Sequence, residues 1–278
     1  MKPLEKIVQK LIISGTITEQ PGLFYGKAGI AVFFFHYAHQ TRNEIAQSYA
    51  MELIEEIQKQ FTDSASVRYD IGLAGIGVGF EYFLQNGFLV ADEEIFEDFD
   101  ARMFRAALYE PYPDLSLEGG LTGLGRYFIY RLLGKGQKTE KLHKSLTHIA
   151  SEISRKIKKK TVLEKEQPDV FRFFHDLVSI PEYSETYSKL LQKCREWKCI
   201  RQPDVQMIFP YMNNLQRLHV CQNYFNMDLS KEISQEWEKW KESDGTHAEM
   251  GLLKGLSSNG LLHLTHLYGN NDSWFNLL

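Results

Sequence analysis

Acidic and histidine side chains lie beside glycine-rich stretches of this 278-residue chain. Paired carboxylates can act as general acid and base on a glycosidic bond, and they can also bind a polar ligand. Asp and Glu near a helix start more commonly stabilise the helix N-terminus. We predict that the acidic and histidine candidates beside the glycines surround one mouth of the fold. They are Asp70, Glu118, Asp244, His247 and Glu249.

Histidine pairs suggest a second kind of site. His263 and His266 are three positions apart, as are His36 and His39. Two histidines on one helix face can bind a metal ion, and His36, His263 and His266 would meet if the first and last buried helices were neighbours. Histidines that simply pack in a helix layer are more common, so no metal is predicted here.

Glycine-rich turns recur along the chain and must position these side chains. Differences of 46, 48 and 135 residues separate the starts of the four copies, and 135 is three periods of 45. We therefore predict two degraded copies, at 175–181 and 211–218. The first contains His175 and Asp176, which become further candidates for ligand binding. The four clear copies are Gly26–Ala31, Gly72–Gly77, Gly120–Gly125 and Gly255–Gly260.

Each glycine turn precedes an apolar stretch and then an amphipathic one. Both have helical periodicity, and no alternating pattern of a strand competes. The sequence therefore predicts one all-α domain over residues 1–278, with about six hairpins of an inner and an outer helix. Large inner rings and the lack of polar end repeats favour closure into an α/α toroid. Bare N–H groups at the glycine turns would then bind anions at one mouth.

Composition excludes several classes of function. A net charge of −4 does not indicate the basic surface that binds nucleic acid. No apolar run is long enough for a membrane span, and the start does not resemble a signal peptide, so we expect a cytoplasmic protein. The basic run 155–160 is typical of a solvated helix end. Cys194, Cys199 and Cys221 lack the spacing of a zinc site, and we predict partly buried thiols.

The glycine turns resemble those of the lanthionine synthetase C-like family, the cyclases of lanthipeptide biosynthesis and their relatives. That resemblance covers most of 20–135 and 245–268 and implies an α/α toroid. It also implies a zinc ion, held by two cysteines and one histidine, that activates a peptide thiol for addition to dehydroalanine or dehydrobutyrine. The matching stretches are Gly22–Ile30, Tyr69–Phe80, Leu117–Gly125 and Gly251–Leu261.

The chain departs from this family at the zinc ligands. The family's ligands belong to Cys-x-Gly and Cys-His-Gly motifs that open the two inner helices before the last one, and neither string occurs here. We therefore expect a zinc-free accessory or peptide-binding protein, whose partner is a precursor peptide or a peptide-maturation enzyme. The alternatives are a glycosidase-like hydrolase that uses the mouth carboxylates, and a cyclase with substituted metal ligands.

Tyrosines near the turns offer a surface for a peptide. Amphipathic rings suit peptide recognition, although core packing is the commoner fate of a tyrosine. The five tyrosines near turns are Tyr25, Tyr69, Tyr112, Tyr127 and Tyr211.

Overall fold

The computed structural model describes residues 3–62, 65–90, 96–112, 114–241, 250–269 and 272–278. Within these residues the chain is all-α, with 69% helix and no strand. Contacts divide it into two compact units, the first Met1–Thr62 with Phe209–Leu278 and the second Asp63–Ile208. None of the helices in the described ranges is both long and apolar enough to cross a membrane.

Thirteen α-helices are present in the described part of the chain, with short 3-10 helices at Glu164–Glu166 and Ser273–Leu277. In chain order the α-helices are α1 Pro3–Ile17, α2 Lys27–Thr41, α3 Glu44–Gln58, α4 Leu73–Gln85, α5 Glu97–Tyr109, α6 Leu121–Leu133, α7 Glu140–Lys158, α8 Gln167–Leu177, α9 Pro181–Arg195, α10 Lys198–Arg201, α11 Asn214–Phe225, α12 Ser230–Trp240 and α13 Leu256–Tyr268.

Six of these helices start at a nearly constant spacing, which confirms the predicted repeat. Successive N-caps are 46, 48, 46, 47 and 42 residues apart. The fifth copy lies within the predicted stretch 211–218, but the fourth begins at Glu166 rather than near His175. Pro168, in the first turn of α8, was the sequence signal for this start. The six N-caps are Gly26, Gly72, Gly120, Glu166, Asn213 and Gly255.

The repeat alternates buried and surface helices. Every residue of α4 from Leu73 to Phe83 is buried, because the helix is apolar nearly all round and its one acid, Glu81, is paired with Arg131. The following surface helices bury only one stripe; α7, for example, buries Leu142, Leu146 and Ile149 and exposes a charged face. In the second unit α4 packs on α6 and α6 on α8, and in the first unit α13 packs on α2.

A glycine five residues after the N-cap receives an aromatic ring from the next buried helix. A Cβ on Gly77 would lie 2.4 Å from the ring of Tyr127, and one on Gly125 would lie 2.4 Å from Phe173. In the first unit Gly260 has the same relation to Phe33, at 2.3 Å. The third glycine of the motif therefore makes room for a neighbouring side chain, and each such ring is seven residues after its own N-cap.

Candidate functional site

The glycine turns fold back on their own helices. Leu73 N–H donates to the Ser66 carbonyl at 2.8 Å, and Lys27 N–H donates to Gln20 in the same way. A Cβ on Gly72 would lie 2.2 Å from the Ser66 oxygen, so only glycine permits this approach. The prediction of bare N–H groups was wrong for Leu73 and Lys27, because the preceding loop already binds these first N–H groups.

Adjacent turns are also joined to each other through the backbone. Tyr69 and Asp70 both donate their N–H groups to the Glu118 carbonyl, at 2.9 and 3.2 Å. These two bonds link the glycine turn before α4 to the glycine turn before α6, and we call this contact the glycine junction. The first unit has an equivalent bond, from Leu253 N–H to the Phe24 carbonyl at 3.2 Å. The structure thus brings two predicted site residues, Asp70 and Glu118, together.

The Asp70 carboxylate is occupied within the glycine junction. Arg68 Nε donates to Asp70 Oδ1 at 2.8 Å, and Ile71 N–H donates to the same oxygen at 2.9 Å. The hydrogen bond to Asp70 raises the pKa of Arg68, and the charges of Glu118 and Asp114 add to this effect. Asp70 is therefore an acceptor that holds the turn, with a permanent cation beside it.

A buried ionic cluster lies between α6 and α8 in the second unit. Arg126 is 4% exposed and Arg172 is 2% exposed, and both line a cavity with Asp169 and Asp176. Two cations and two carboxylates balance one another in this apolar setting. The cavity measures about 10 Å³, room for roughly one water molecule. The cluster therefore links two helices and leaves no space for a substrate. Leu117, Thr122 and Phe173 complete the lining.

The start of α8 holds the turn before α6 with carboxylates. Asp169 Oδ2 accepts from Leu117 N–H at 2.9 Å, and Glu166 Oε1 accepts from Leu115 N–H at 3.0 Å. We call this the carboxylate junction. Leu117 stands three residues before its N-cap, as Tyr69 does in the glycine junction. In the degraded copy a carboxylate thus takes the place of a backbone carbonyl.

His175 and Asp176 lie in the last turn of α8, whereas the sequence placed them at a helix opening. His175 Nδ1 is 3.3 Å from Asp176 Oδ1. Burial alone would raise the pKa of Asp176, but the hydrogen bond with His175 and the charges of Arg126 and Arg172 outweigh it and lower the pKa. Asp176 is therefore ionised at neutral pH and is a poor proton donor.

The histidines considered as an alternative metal site pack against other side chains. Although α13 packs on α2 as expected, the His263 ring lies against Trp240, with ring centroids 4.9 Å apart. Burial, with the charge of His39, lowers the pKa of His36 to about 4. No cluster of three or more metal-ligating side chains occurs among the described residues.

Sequence reasoning missed His219 as a neighbour of His266. The ring centroids of these two histidines are 6.1 Å apart. His266 stacks on Trp237 at 4.1 Å, and His219 stacks on Phe275 at 4.2 Å. Each imidazole is thus packed against an aromatic ring, as is usual for a histidine that packs in a helix layer and binds no metal ion.

The residues that open α8 and α11 do not fit the zinc site that the resemblance implies. In α8 they are the carboxylates of the carboxylate junction. At α11, Asn213 Oδ1 accepts from Gln216 N–H at 2.9 Å, and Gln216 Nε2 donates to the Leu252 carbonyl at 2.9 Å. A tetrahedral zinc site of this family needs two thiolates and an imidazole, and these side chains are carboxylates and amides engaged with the backbone.

The three cysteines lie within α9, α10 and α11, and none of them occupies an N-cap position of α8 or α11. Cys194 is a buried free thiol in α9, and burial raises its pKa to about 12, opposite to the change that metal binding or nucleophilic attack requires. Cys199 is half-buried and donates its Sγ–H to Gln167 Oε1 at 3.2 Å. Cys221 is buried in α11. The prediction of partly buried thiols is confirmed for these positions.

Three predicted site residues, Asp244, His247 and Glu249, fall outside the described residues. Conversely, the structure adds Arg126 and Arg172, which were not among the residues predicted from sequence. A charged residue inside an otherwise apolar helix signals a buried partner, and Arg172 lies among Phe171, Phe173 and Phe174. That signal was available from sequence alone.

Within the described ranges these features define an all-α protein, in which six regularly spaced helices have their opening turns joined in series within each unit. Searches against known proteins give no further assignment, since neither a family model nor a curated protein matches the chain.

Proposed function

We propose that this chain is a divergent, zinc-free relative of the lanthionine synthetase C-like proteins, which binds a precursor peptide or a peptide-maturation enzyme in the cytoplasm. The six regularly spaced helix starts support an α/α toroid for it. Closure of such a ring requires the last buried helix to pack on the first, and α13 packs on α2 within the first unit.

One observation carries the zinc-free part of the proposal. At both helix openings where the resemblance implies thiolate or imidazole ligands, this chain uses side chains such as Asp169 and Gln216 to hold neighbouring turns. In this proposal the helices and turns of the family are kept, and the metal ligands at the helix openings are replaced. Carboxylate chemistry is less well supported, because Asp70 is bonded to an arginine, and the pKa of Asp176 is lowered where a glycosidase acid needs a raised one.

Partly exposed tyrosines near the turns favour peptide binding. Tyr25 and Tyr211 in the first unit, and Tyr112 in the second, are half-buried and keep part of their surface accessible. Tyr69 and Tyr127 are instead buried in the core. A ring that is packed on one side and accessible on the other provides rigid contact area for a peptide.

The test uses a dehydrated, cysteine-containing precursor peptide with a fluorescent label. We expect saturable binding by anisotropy and no loss of the peptide thiol, with or without added Zn²⁺. Tyr25→Ala and Tyr211→Ala should weaken binding, whereas Tyr268→Ala, which removes an exposed ring at the C-terminal end of α13, away from the glycine turn that opens this helix, should not. Zinc-dependent thiol loss would instead identify a cyclase, and absence of binding would exclude a peptide-binding role.

A further inference from the structure

A groove between the surface helices α7 and α9 carries a group of lysines that the proposed function does not use. The groove has a volume of about 370 Å³, within the range of small-molecule pockets. It lies wholly inside the second unit. Its lining consists of Ser151, Ser154, Lys158, Thr186, Tyr187, Lys189, Leu190 and Lys193, with no carboxylate among these described residues.

The three lysines of the groove make no ion pair with any described carboxylate. Other exposed lysines do find partners, as Lys239 does with Glu236 at 3.2 Å. On α7 the nearby Glu152 is paired with Arg155 instead. Positive charge therefore accumulates on this surface although the whole chain carries a net charge of −4.

Two of the three lysines are neighbours on the surface of α9. Lys189 and Lys193 are four residues apart on one helix, so their side chains are neighbours and repel each other. Lys158 lines the same groove from α7 and adds a third cation. A bound anion would relieve this repulsion, since it would offset all three charges.

Hydroxyl groups complete the chemistry of an anion site. Ser151 and Thr186 are exposed at the groove, and neither hydroxyl makes a hydrogen bond to the described residues. Both can donate to a ligand oxygen. The Ser154 hydroxyl is different, because it donates to the Ala150 carbonyl at 2.6 Å and serves the helix.

We propose that the α7–α9 groove binds a small phosphate-bearing ligand through Lys158, Lys189 and Lys193, with Ser151 and Thr186 as additional donors. Lysine ammonium groups bind phosphate oxygens through charge-assisted hydrogen bonds. A pocket of this size suits a small molecule with one or more phosphates better than an extended macromolecule. This site is independent of the peptide-binding role proposed above.

The experiment is calorimetric titration of the full chain with inorganic tripolyphosphate and, separately, with inorganic phosphate. We expect saturable binding that is tighter for tripolyphosphate and weaker at high salt. The double variant K189Q/K193Q should lose at least about tenfold in affinity, because it removes two charge-assisted contacts. Lys193→Arg, which keeps the charge, should retain binding.

A matched control separates a built site from general attraction to positive charge. The variant K135Q/K138Q removes two exposed lysine charges before the start of α7, at the opposite end from Lys158 of a helix roughly 28 Å long. Its affinity should change by less than about twofold, since exposed charges several Debye lengths away are screened. Equal losses in the two double variants, or no binding of tripolyphosphate, would overturn the proposal. Tighter binding of a hexaglutamate peptide than of tripolyphosphate would overturn the ligand class. Circular dichroism checks that each variant is folded.

Discussion

In the second unit, two neighbouring junctions hold equivalent loop positions by different chemistry. The glycine junction uses backbone N–H groups and the Glu118 carbonyl. Its Asp70 is 4% exposed, and the cation paired with Asp70, Arg68, has a side chain that is 46% exposed. The carboxylate junction uses Glu166 and Asp169, which are 5% and 6% exposed. Glycine permits direct contact of two backbones, whereas a helix start without glycine stays further away and needs a side chain to span the gap.

This comparison explains how a repeat can lose its sequence motif and keep its architecture. The turn before α6 must have its N–H groups satisfied whether the next helix start is a glycine or not. A buried carboxylate meets that need, but it also brings a charge that requires a cation nearby. Arg126 and Arg172, which line the same cavity as Asp169, supply that charge.

The largest effect should come from crowding the glycine junction. A Cβ on Gly123 would lie 2.0 Å from the Leu117 carbonyl oxygen and 2.8 Å from Tyr69 Cβ. Since backbone atoms cannot move aside cheaply, Gly123→Ala should lower the free energy of unfolding by roughly 3 kcal/mol or more. Urea denaturation followed by circular dichroism measures this.

The control is Gly136→Ala, whose Cβ would meet only the end of the Arg131 side chain at 3.1 Å. That variant should change the free energy of unfolding by less than about 1 kcal/mol. Similar losses in the two glycine variants would show that close backbone approach is not what the motif provides.

The second-largest loss in the free energy of unfolding should come from breaking the carboxylate junction. Asp169→Ala leaves the buried Leu117 N–H without its acceptor and removes one of two carboxylates from the arginine cluster. We expect a loss of about 3 kcal/mol. Asp70→Ala in the glycine junction should cost about 1 kcal/mol, because its partner is half-exposed and the backbone bonds remain.

Amide exchange can show where in the structure Asp169→Ala and Asp70→Ala differ in their effect. Exchange at Leu117 should accelerate in Asp169→Ala and stay slow in Asp70→Ala, while Asp169→Asn, which keeps an acceptor oxygen, should recover part of the protection. An Asp70→Ala variant as unstable as Asp169→Ala would contradict the contrast drawn between the two junctions.

Mild acid should affect the first unit through His36, which is 4% exposed. Burial lowers its pKa to about 4, so between the usual 6.5 and about 4 the unfolded chain binds a proton that the folded chain excludes. Stability contributed by the neutral imidazole is therefore lost as pH falls through this window. Each tenfold change in protonation is worth about 1.4 kcal/mol, so the loss approaches roughly 3 kcal/mol at pH 4.

Urea denaturation at several pH values measures this loss in the wild type. His36→Leu should reduce the dependence between pH 6.5 and 4 without abolishing it, because burial also lowers the pKa of His219 to about 4. His148→Gln, at an exposed position, should leave the dependence unchanged. Parallel curves for the wild type and His36→Leu would rule out His36 as the origin of the acid sensitivity.

The smallest effect concerns Asp176 in the second unit and needs stronger acid. Its pKa is lowered from 3.8, so the carboxylate contributes stability that is present above this value and is lost as pH falls through the lower, folded-state pKa. Asp176→Asn should therefore reduce the acid sensitivity below pH 3.8 only. Amide exchange rates in α8, measured at pH 5 and pH 3, test whether this loss of stability occurs only below pH 3.8. Faster exchange in wild-type α8 already at pH 5 would contradict it.

The sequence by itself determined the helical class and the repeat. Period and glycine spacing located four buried helices directly, and the fifth fell where arithmetic placed it, because these signals are local and recur along the chain. The fourth start was misplaced by about nine residues, since no glycine marks Glu166 and the proline signal was not used. Closure of the repeats into a toroid remains a prediction.

Only the tertiary structure decided which side chains meet. Asp169 finds the Leu117 N–H across 52 residues of sequence, and nothing local in either segment specifies that bond. It also decided that the first N–H groups at the turns of α2 and α4 are bound by their own loops rather than bare. A helix period fixes which residues are buried, but the partner of a buried polar group depends on how separate helices pack.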